Sequence, residues 1–165
     1  MAMPDLLAHA LLAYAICTVL SVRYDWLTPA YVTAGMAGAF IPDVMKIVLI
    51  VPDAAMEAIL GVPFSWSGIH TAGGALVAVL IGAAVVVPAE RRRIGALLGV
   101  GAASHLLADA LLLTPSGYSY GVLWPALRVH PPTPGLYLST QPGPTVVAGA
   151  AALLAWGYVR RGWLR

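Results

Sequence analysis

From Ile94 to Leu113 the chain runs for 20 residues with no charged side chain except Asp109, which follows His105 by four positions. A stretch of about 20 apolar residues is what an α-helix needs to cross the hydrocarbon of a bilayer. The i,i+4 spacing sets His105 and Asp109 on one face of that helix. An ionisable group at bilayer depth costs about 2.5–3.5 kcal/mol on insertion scales. The pair therefore needs partners, and the rest of the chain must fold so as to supply them.

Four further apolar runs, at residues 6–22, 30–51, 68–87 and 145–159, have comparable character. Hydrophobic residues make up 60% of the 165 positions and charged residues 10%, where a soluble domain carries about 25% charged residues. The expected fold is all-α: a polytopic integral membrane bundle of about five transmembrane helices, forming one transmembrane domain over residues 1–165. A long proline-rich connection, residues 114–144, is left outside the spans. Asp5 precedes the first run where a signal peptide would be basic, and no small-residue cleavage pattern follows, so this run is read as a retained helix. Cys17 stands alone among apolar residues and reads as a packing residue with no disulfide partner in the chain.

The arginines orient the bundle. Arg23 follows the first run, Arg91, Arg92 and Arg93 follow the third, and Arg160, Arg161 and Arg165 follow the fifth. Positive residues favour the cytoplasmic side, which places the N-terminus outside, the C-terminus in the cytoplasm and the chain in the cell membrane as a multi-pass protein. The opposite segments agree: Asp53 and Glu57 make one acidic, and the 114–144 connection has Arg128 as its one fixed positive charge. The net charge of +2 is thus a topology signal, and without a basic run interleaved with aromatics it does not point to nucleic acid. Eight arginines to one lysine fit a GC-rich prokaryotic genome.

On this topology five polar residues fall in one half of the bilayer. His9 enters with the first helix, Asp43 lies past the middle of the second, His70 opens the third, and His105 and Asp109 occupy the later half of the fourth. At 1.5 Å per residue all five sit between the outer surface and the midplane, so one outward-facing polar cavity can hold them. Pro42 breaks the second run just before Asp43, and irregular backbone at membrane depth requires protein or a wet cavity beside it. Gly95 and Gly99 form a G-x-x-x-G pattern, and Gly35, Gly38, Gly73, Gly74 and Gly149 add small positions for close helix approach. Imidazole and carboxylate suit a divalent metal, zinc, manganese or iron, with zinc the first choice, and no cysteine cluster competes for it. The candidate ligands are His9, Asp43, His70, His105 and Asp109; Asp43 or Asp109 is the candidate general base if left uncoordinated. An interfacial role for His70 and a histidine–aspartate hydrogen bond without metal remain open, and His130, in the proline-rich connection, reads as a solvated residue.

The segments Met3-Pro4-Asp5-Leu6-Leu7-Ala8-His9, Gly38-Ala39-Phe40-Ile41-Pro42-Asp43, Ile69-His70-Thr71, Ser104-His105-Leu106-Leu107-Ala108-Asp109 and Gly121-Val122-Leu123-Trp124-Pro125 follow a known order. In them the chain resembles the YdjM-type membrane-bound metal-dependent hydrolases over most of its length. The resemblance implies a polytopic membrane protein with a hydrolytic metal site on His9, Asp43, His70, His105 and Asp109. The His-x-x-x-Asp helix is also similar to a segment of zinc-dependent phospholipases C. The chain departs from the family pattern at Met45 and Lys46, where a second acidic residue and a histidine are common, and at Ser65, Trp66 and Ile69, ahead of His70. These departures imply one metal, or a degenerate site, in place of two. Lys46 either replaces a cation beside Asp43 or snorkels to the interface.

Three function classes follow. The first is a membrane-embedded metal-dependent hydrolase of a lipid or lipid-linked phosphate ester at the outer leaflet. It is consistent with the aromatic segment 118–125, which belongs in the headgroup zone, and with a long loop able to cap a site; the same loop as a rigid connector stays open. The second is a non-catalytic membrane scaffold or partner subunit with a degenerate metal site. A small transporter is the third, although the chain lacks the inverted repeats usual for that class. Expected partners are membrane lipids and a lipid-like substrate, with a protein partner or homo-oligomer also possible and no nucleic acid.

Overall fold

The computed structural model describes residues 4–162; Met3 of the N-terminal motif and Arg165 of the C-terminal basic cluster lie outside them. The fold is all-helical, with α1 (Pro4–Leu20), α2 (Pro29–Gly38), α3 (Asp53–Leu60), α4 (Ala72–Val85), α5 (Arg91–Asp109) and α6 (Gly143–Gly162). Two 3-10 segments, Pro42–Leu49 and Trp66–His70, lie between them. Among the described residues β-structure is confined to isolated bridges, Leu112 with Tyr137 and Tyr118 with Pro132.

Each of the five apolar runs carries an α-helix, with three corrections to the expected boundaries. The second run is two pieces: α2 ends at Gly38, and the chain bends by 52° into the 3-10 segment. Pro42 is the cause, because its ring and missing N–H prevent α-helical continuation; hydrogen bonding switches to the i−3 carbonyl at Phe40 and Ile41. The third run begins as a 3-10 turn, so His70 closes that turn and α4 starts at Ala72, with the Thr71 hydroxyl accepting from Gly74 N–H as its cap. The segment between them forms α3, ended by Gly61 in the left-handed region at φ +69°, where glycine is favoured. Among the described residues no single helix is both long and apolar enough to cross a membrane, whereas the bent pair Pro29–Gly38 with Pro42–Leu49 passes that test as a unit.

Contacts fix the helix directions. Ala15 of α1 packs on Ala152 and Ala155 of α6, and a cavity nearer the start of α1 is walled by Ala8, Leu12, Val147 and Ala148, so α1 and α6 run parallel. Tyr31, early in α2, donates to Glu90 at the head of α5, while Gly38 meets Leu98 further along α5; these two helices are also parallel. Ala75 and Val79 of α4 pack with Ala102, and Gly82 meets Leu98, which makes α4 antiparallel to α5. The outer faces stay apolar: Leu76, Val77, Leu80 and Ile81 of α4 and Leu153 and Leu154 of α6 are all more than half exposed. Exposed apolar surface of this extent marks a membrane or partner face.

The close approach expected of Gly95 and Gly99 is made elsewhere. A Cβ at Gly99 would meet nothing within 4 Å, and one at Gly95 only the Cβ of Ala83 at 3.2 Å. At Gly101 a Cβ would lie 2.0 Å from the Gly35 carbonyl oxygen, and at Gly38 it would lie 2.3 Å from that of Leu98. The α2–α5 contact is therefore backbone against backbone. Gly101→Ala should lower the melting temperature of the detergent-solubilised protein, by about 1–3 kcal/mol of lost stability or more, whereas Gly99→Ala should be neutral or slightly stabilising. Equal melting temperatures for the two variants would contradict this packing.

Candidate metal centre

The polar cluster is built on Asp109, one turn beyond His105 at the end of α5. Its Oδ1 lies 3.1 Å from His9 Nε2. Its Oδ2 lies 2.8 Å from His70 Nε2 and 3.3 Å from His105 Nε2. Three imidazoles from α1, the 3-10 turn before α4 and α5 thus converge on one carboxylate. His9 is 2% exposed, His70 7%, His105 0% and Asp109 5%, so the cluster is a buried knot and not the open polar cavity that the sequence suggested. The rings order one another as well: His9 stacks on His105 at 3.7 Å between centroids, and His70 meets His105 edge-on at 5.4 Å.

Asp43 joins from the 3-10 segment after Pro42. Its Oδ1 is 2.7 Å from Lys46 Nζ and 3.9 Å from His105 Nε2, while its buried Oδ2 has no hydrogen-bond partner. All five candidate ligands therefore come together, and Lys46 turns toward Asp43 instead of away to the interface. His130 is exposed, donates through Nδ1 to the Ser119 carbonyl at 3.1 Å, and belongs to the 114–144 connection.

The proline before Asp43 also orients His105. The carbonyl of Ala39 faces Pro42 three residues on, which has no N–H to offer it, and His105 Nδ1 lies 2.8 Å from this oxygen. A carbonyl can only accept, so Nδ1 carries the proton and Nε2 presents a lone pair in the neutral ring. Nε2 is buried without a hydrogen-bond partner and faces oxygens of both Asp109 and Asp43. A lone pair opposed to carboxylate oxygens is repulsive unless a second proton on the ring or a cation lies between them. A histidine tied through its other nitrogen to a backbone carbonyl is the usual arrangement behind a metal ligand.

The donor set therefore fits a divalent ion. Ligand atoms of His9, His105 and Asp109 lie within 4.8 Å of one another, and so do those of Asp43, His70 and His105. The two groups share His105, which places it at the centre of either arrangement. No thiolate takes part; Cys17 is buried in the apolar cluster with Leu27, Val32 and Leu97.

Two of the positions that depart from the family pattern, Ser65 and Trp66, hold the backbone around the cluster. Asp53 accepts from Ser65 Oγ at 3.1 Å and from Trp66 N–H at 3.0 Å, and Trp66 Nε1 donates to the Val51 carbonyl at 2.8 Å. Glu57 accepts from Phe64 N–H. The acidic residues that looked like a topology signal thus clamp the turn that delivers His70. The 114–144 connection adds a second restraint: the carbonyls of Val122 and Trp124 accept from Ala72 and Gly73 N–H at the head of α4, and Tyr120 stacks edge-on against His70 at 5.5 Å. Tyr120 was not singled out from the sequence, where only its place in an aromatic segment was visible.

A model of the YdjM inner membrane protein family matches residues 3–165, and the chain belongs to this membrane protein family. No curated protein and no solved structure matches it.

His105→Ala should abolish retention of metal by the purified protein, whereas His130→Ala should retain as much as the parent. Pro42→Ala, which returns an N–H opposite the Ala39 carbonyl, should weaken metal affinity about 10-fold, the scale of lost orienting contacts behind a ligand. Metal content per protein after identical purification, followed by chelator competition, measures all three. Equal metal in the His105 and His130 variants would remove His105 from the site.

Proposed function

We propose that this member of the YdjM inner membrane protein family is a membrane-embedded, metal-dependent hydrolase acting on a lipid or lipid-linked phosphate ester at the outer leaflet. The observation that carries this reading is the convergence of His9, His70, His105, Asp109 and Asp43 from four separate elements within an apolar bundle. Such a cluster is expensive to bury and is a functional site by default.

His9, His70, His105 and Asp109 are the ligands in this proposal, and their imidazole and carboxylate donors suit zinc. A bound ion supplies Lewis-acid polarisation of the ester and of water. Asp43 is the general base, because both oxygens of Asp109 already face histidines. Lys46 holds Asp43 Oδ1, leaving Oδ2 to take a proton from the attacking water. The route for substrate is a cavity of about 480 Å³ beside His9, walled by Leu12, Leu111, Leu136, Val147 and Ala148. Its apolar walls suit an acyl or polyprenyl chain lying between α1 and α6, with the ester presented to His9.

The helix directions support a five-span topology, with α1, α4 and α6 running one way and α2 and α5 the other. Arg23, Arg91–Arg93 and Arg160–Arg161 then share the cytoplasmic side. A polar structural knot in a non-catalytic scaffold is the competing reading. The Lys46–Asp43 pair favours it, since it neutralises one carboxylate without a metal.

Two measurements test the proposal. Arg92→Cys in a Cys17→Ser background should react with an impermeant maleimide only after cells are opened, and Ser116→Cys should react in intact cells; the reverse pattern would overturn the orientation. In detergent with a lipid phosphate ester, Asp43→Asn should lower turnover about 10²–10⁴-fold, the usual worth of a general base, with metal retained. Stoichiometric metal in the parent without turnover of any phosphate or acyl ester would favour the scaffold.

A further inference from the structure

A second, larger cavity of about 1160 Å³ lies between the far ends of α1 and α6 and the start of α2, away from the histidine cluster. Along α1, Thr18 is nine residues past His9, or about 13 Å at 1.5 Å per residue. Because α1 and α6 are parallel and α2 runs against them, the lining is graded by depth. Arg160 and Arg161, in the last turn of α6, stand at the mouth with Thr28 and the carboxylate of Asp25. Thr18 lies about one turn further in, and the walls beyond it are Tyr14 of α1 with the apolar Val32 and Met36 of α2.

Two observations point to an occupant. The Thr18 side chain is 7% exposed, and its hydroxyl is buried with no hydrogen-bond partner. That hydroxyl stays unpaired although it could bond the helix carbonyl of the preceding turn, as Ser21 does on Thr18, and its residue belongs to the cavity wall, so a change of rotamer turns it to an occupant. The charge at the mouth is the second: two arginines against one aspartate, with the Arg160 guanidinium 4.9 Å from the centre of the Trp156 ring. That stacking places an arginine and an indole together, the pairing that anchors helices at the headgroup level.

We infer that this cavity is a binding site for an anionic glycerophospholipid of the arginine-side leaflet. The phosphate sits at Arg160 and Arg161, the Thr18 hydroxyl donates to an ester carbonyl one turn deeper, and an acyl chain runs along Val32 and Met36. The sequence of chemistries along the cavity, cation then hydroxyl then apolar wall, matches the sequence along such a lipid. A basic pocket between helices at this level is the recognised form of anionic-lipid recognition. The volume exceeds the roughly 300–1000 Å³ of most small-molecule sites, as a headgroup with part of a chain requires. The site is independent of the hydrolytic reading, since it shares no residue with the metal cluster.

The test uses the full-length protein in a neutral detergent, titrated with phosphatidylglycerol, phosphatidylcholine or inorganic phosphate and followed by thermal stability and native mass spectrometry. Phosphatidylglycerol should raise the melting temperature and remain bound, phosphatidylcholine should do so at about 10-fold higher concentration, and inorganic phosphate should have no effect. The Arg160→Gln/Arg161→Gln double variant should bind both lipids alike, while Arg92→Gln, a charge change away from the cavity, should behave as the parent. Thr18→Val should weaken phosphatidylglycerol binding about 3- to 10-fold, the worth of one hydrogen bond, yet leave the lipid-free protein at least as stable as the parent. A hydroxyl with a purely structural role would instead destabilise the lipid-free protein. Equal binding of the two lipids by the parent, undiminished phosphatidylglycerol binding by the double variant, or a phosphate-only shift equal to that of the lipid would each overturn the inference.

Discussion

A carboxylate enclosed by apolar helices must be met by donors or a cation, and Asp109 imposes that requirement on three other parts of the chain. His9 has to come from α1, His70 from the turn before α4, and His105 from one turn back on α5. Once these contacts form, the relative height of α1, α4 and α5 is fixed to within the reach of an imidazole. A slide of one helix by a single turn, about 5.4 Å, would leave the carboxylate or a histidine bare in a place where water cannot compensate. The cluster thus sets the register of the bundle.

The kink at Pro42 is coupled to the same centre. By ending α2 it frees the Ala39 carbonyl, and that oxygen is where His105 anchors Nδ1. The close α2–α5 approach through Gly35, Gly38 and Gly101 makes the tie possible, since a side chain between these backbones would push Ala39 out of reach. A helix break, a glycine contact and a histidine tautomer are therefore three consequences of one local geometry. On the other side of the cluster, Asp53 clamps Ser65 and Trp66 so that His70 arrives at the end of a rigid turn.

Those couplings mark what the sequence could and could not reveal. The apolar runs, the break at Pro42 and the set His9, Asp43, His70, His105 and Asp109 were legible because each is an exception against an apolar background. The α3 helix and the 3-10 form of residues 42–49 were not, since short segments without clear periodicity are decided by hydrogen bonds to distant partners. Gly101 was overlooked in favour of Gly95 and Gly99 because a spacing pattern says nothing about which helix face meets a neighbour. Ser65 and Trp66 looked like lost ligands; only the position of Asp53 shows them as a clamp. Tyr120 and the carbonyls of Val122 and Trp124 were invisible for a related reason, because a loop's return to the head of a helix is a tertiary choice.

The lengths of the helices give the long connection its place. At 1.5 Å per residue, the 14 residues of α4 reach only about 21 Å, well short of a hydrocarbon layer of about 30 Å. In the membrane topology proposed above, the head of α4 therefore ends below the outer surface, and His70 sits at that depth. Irregular backbone there is tolerated only when protein covers it and satisfies its polar groups. The segment around Val122 and Trp124 does this by taking the N–H groups of Ala72 and Gly73, and a side chain at Gly73 would strike Pro125. A short α4 needs the strap, and the strap in turn covers His70 through Tyr120, so that on the reading proposed above the cavity beside His9 serves as the approach.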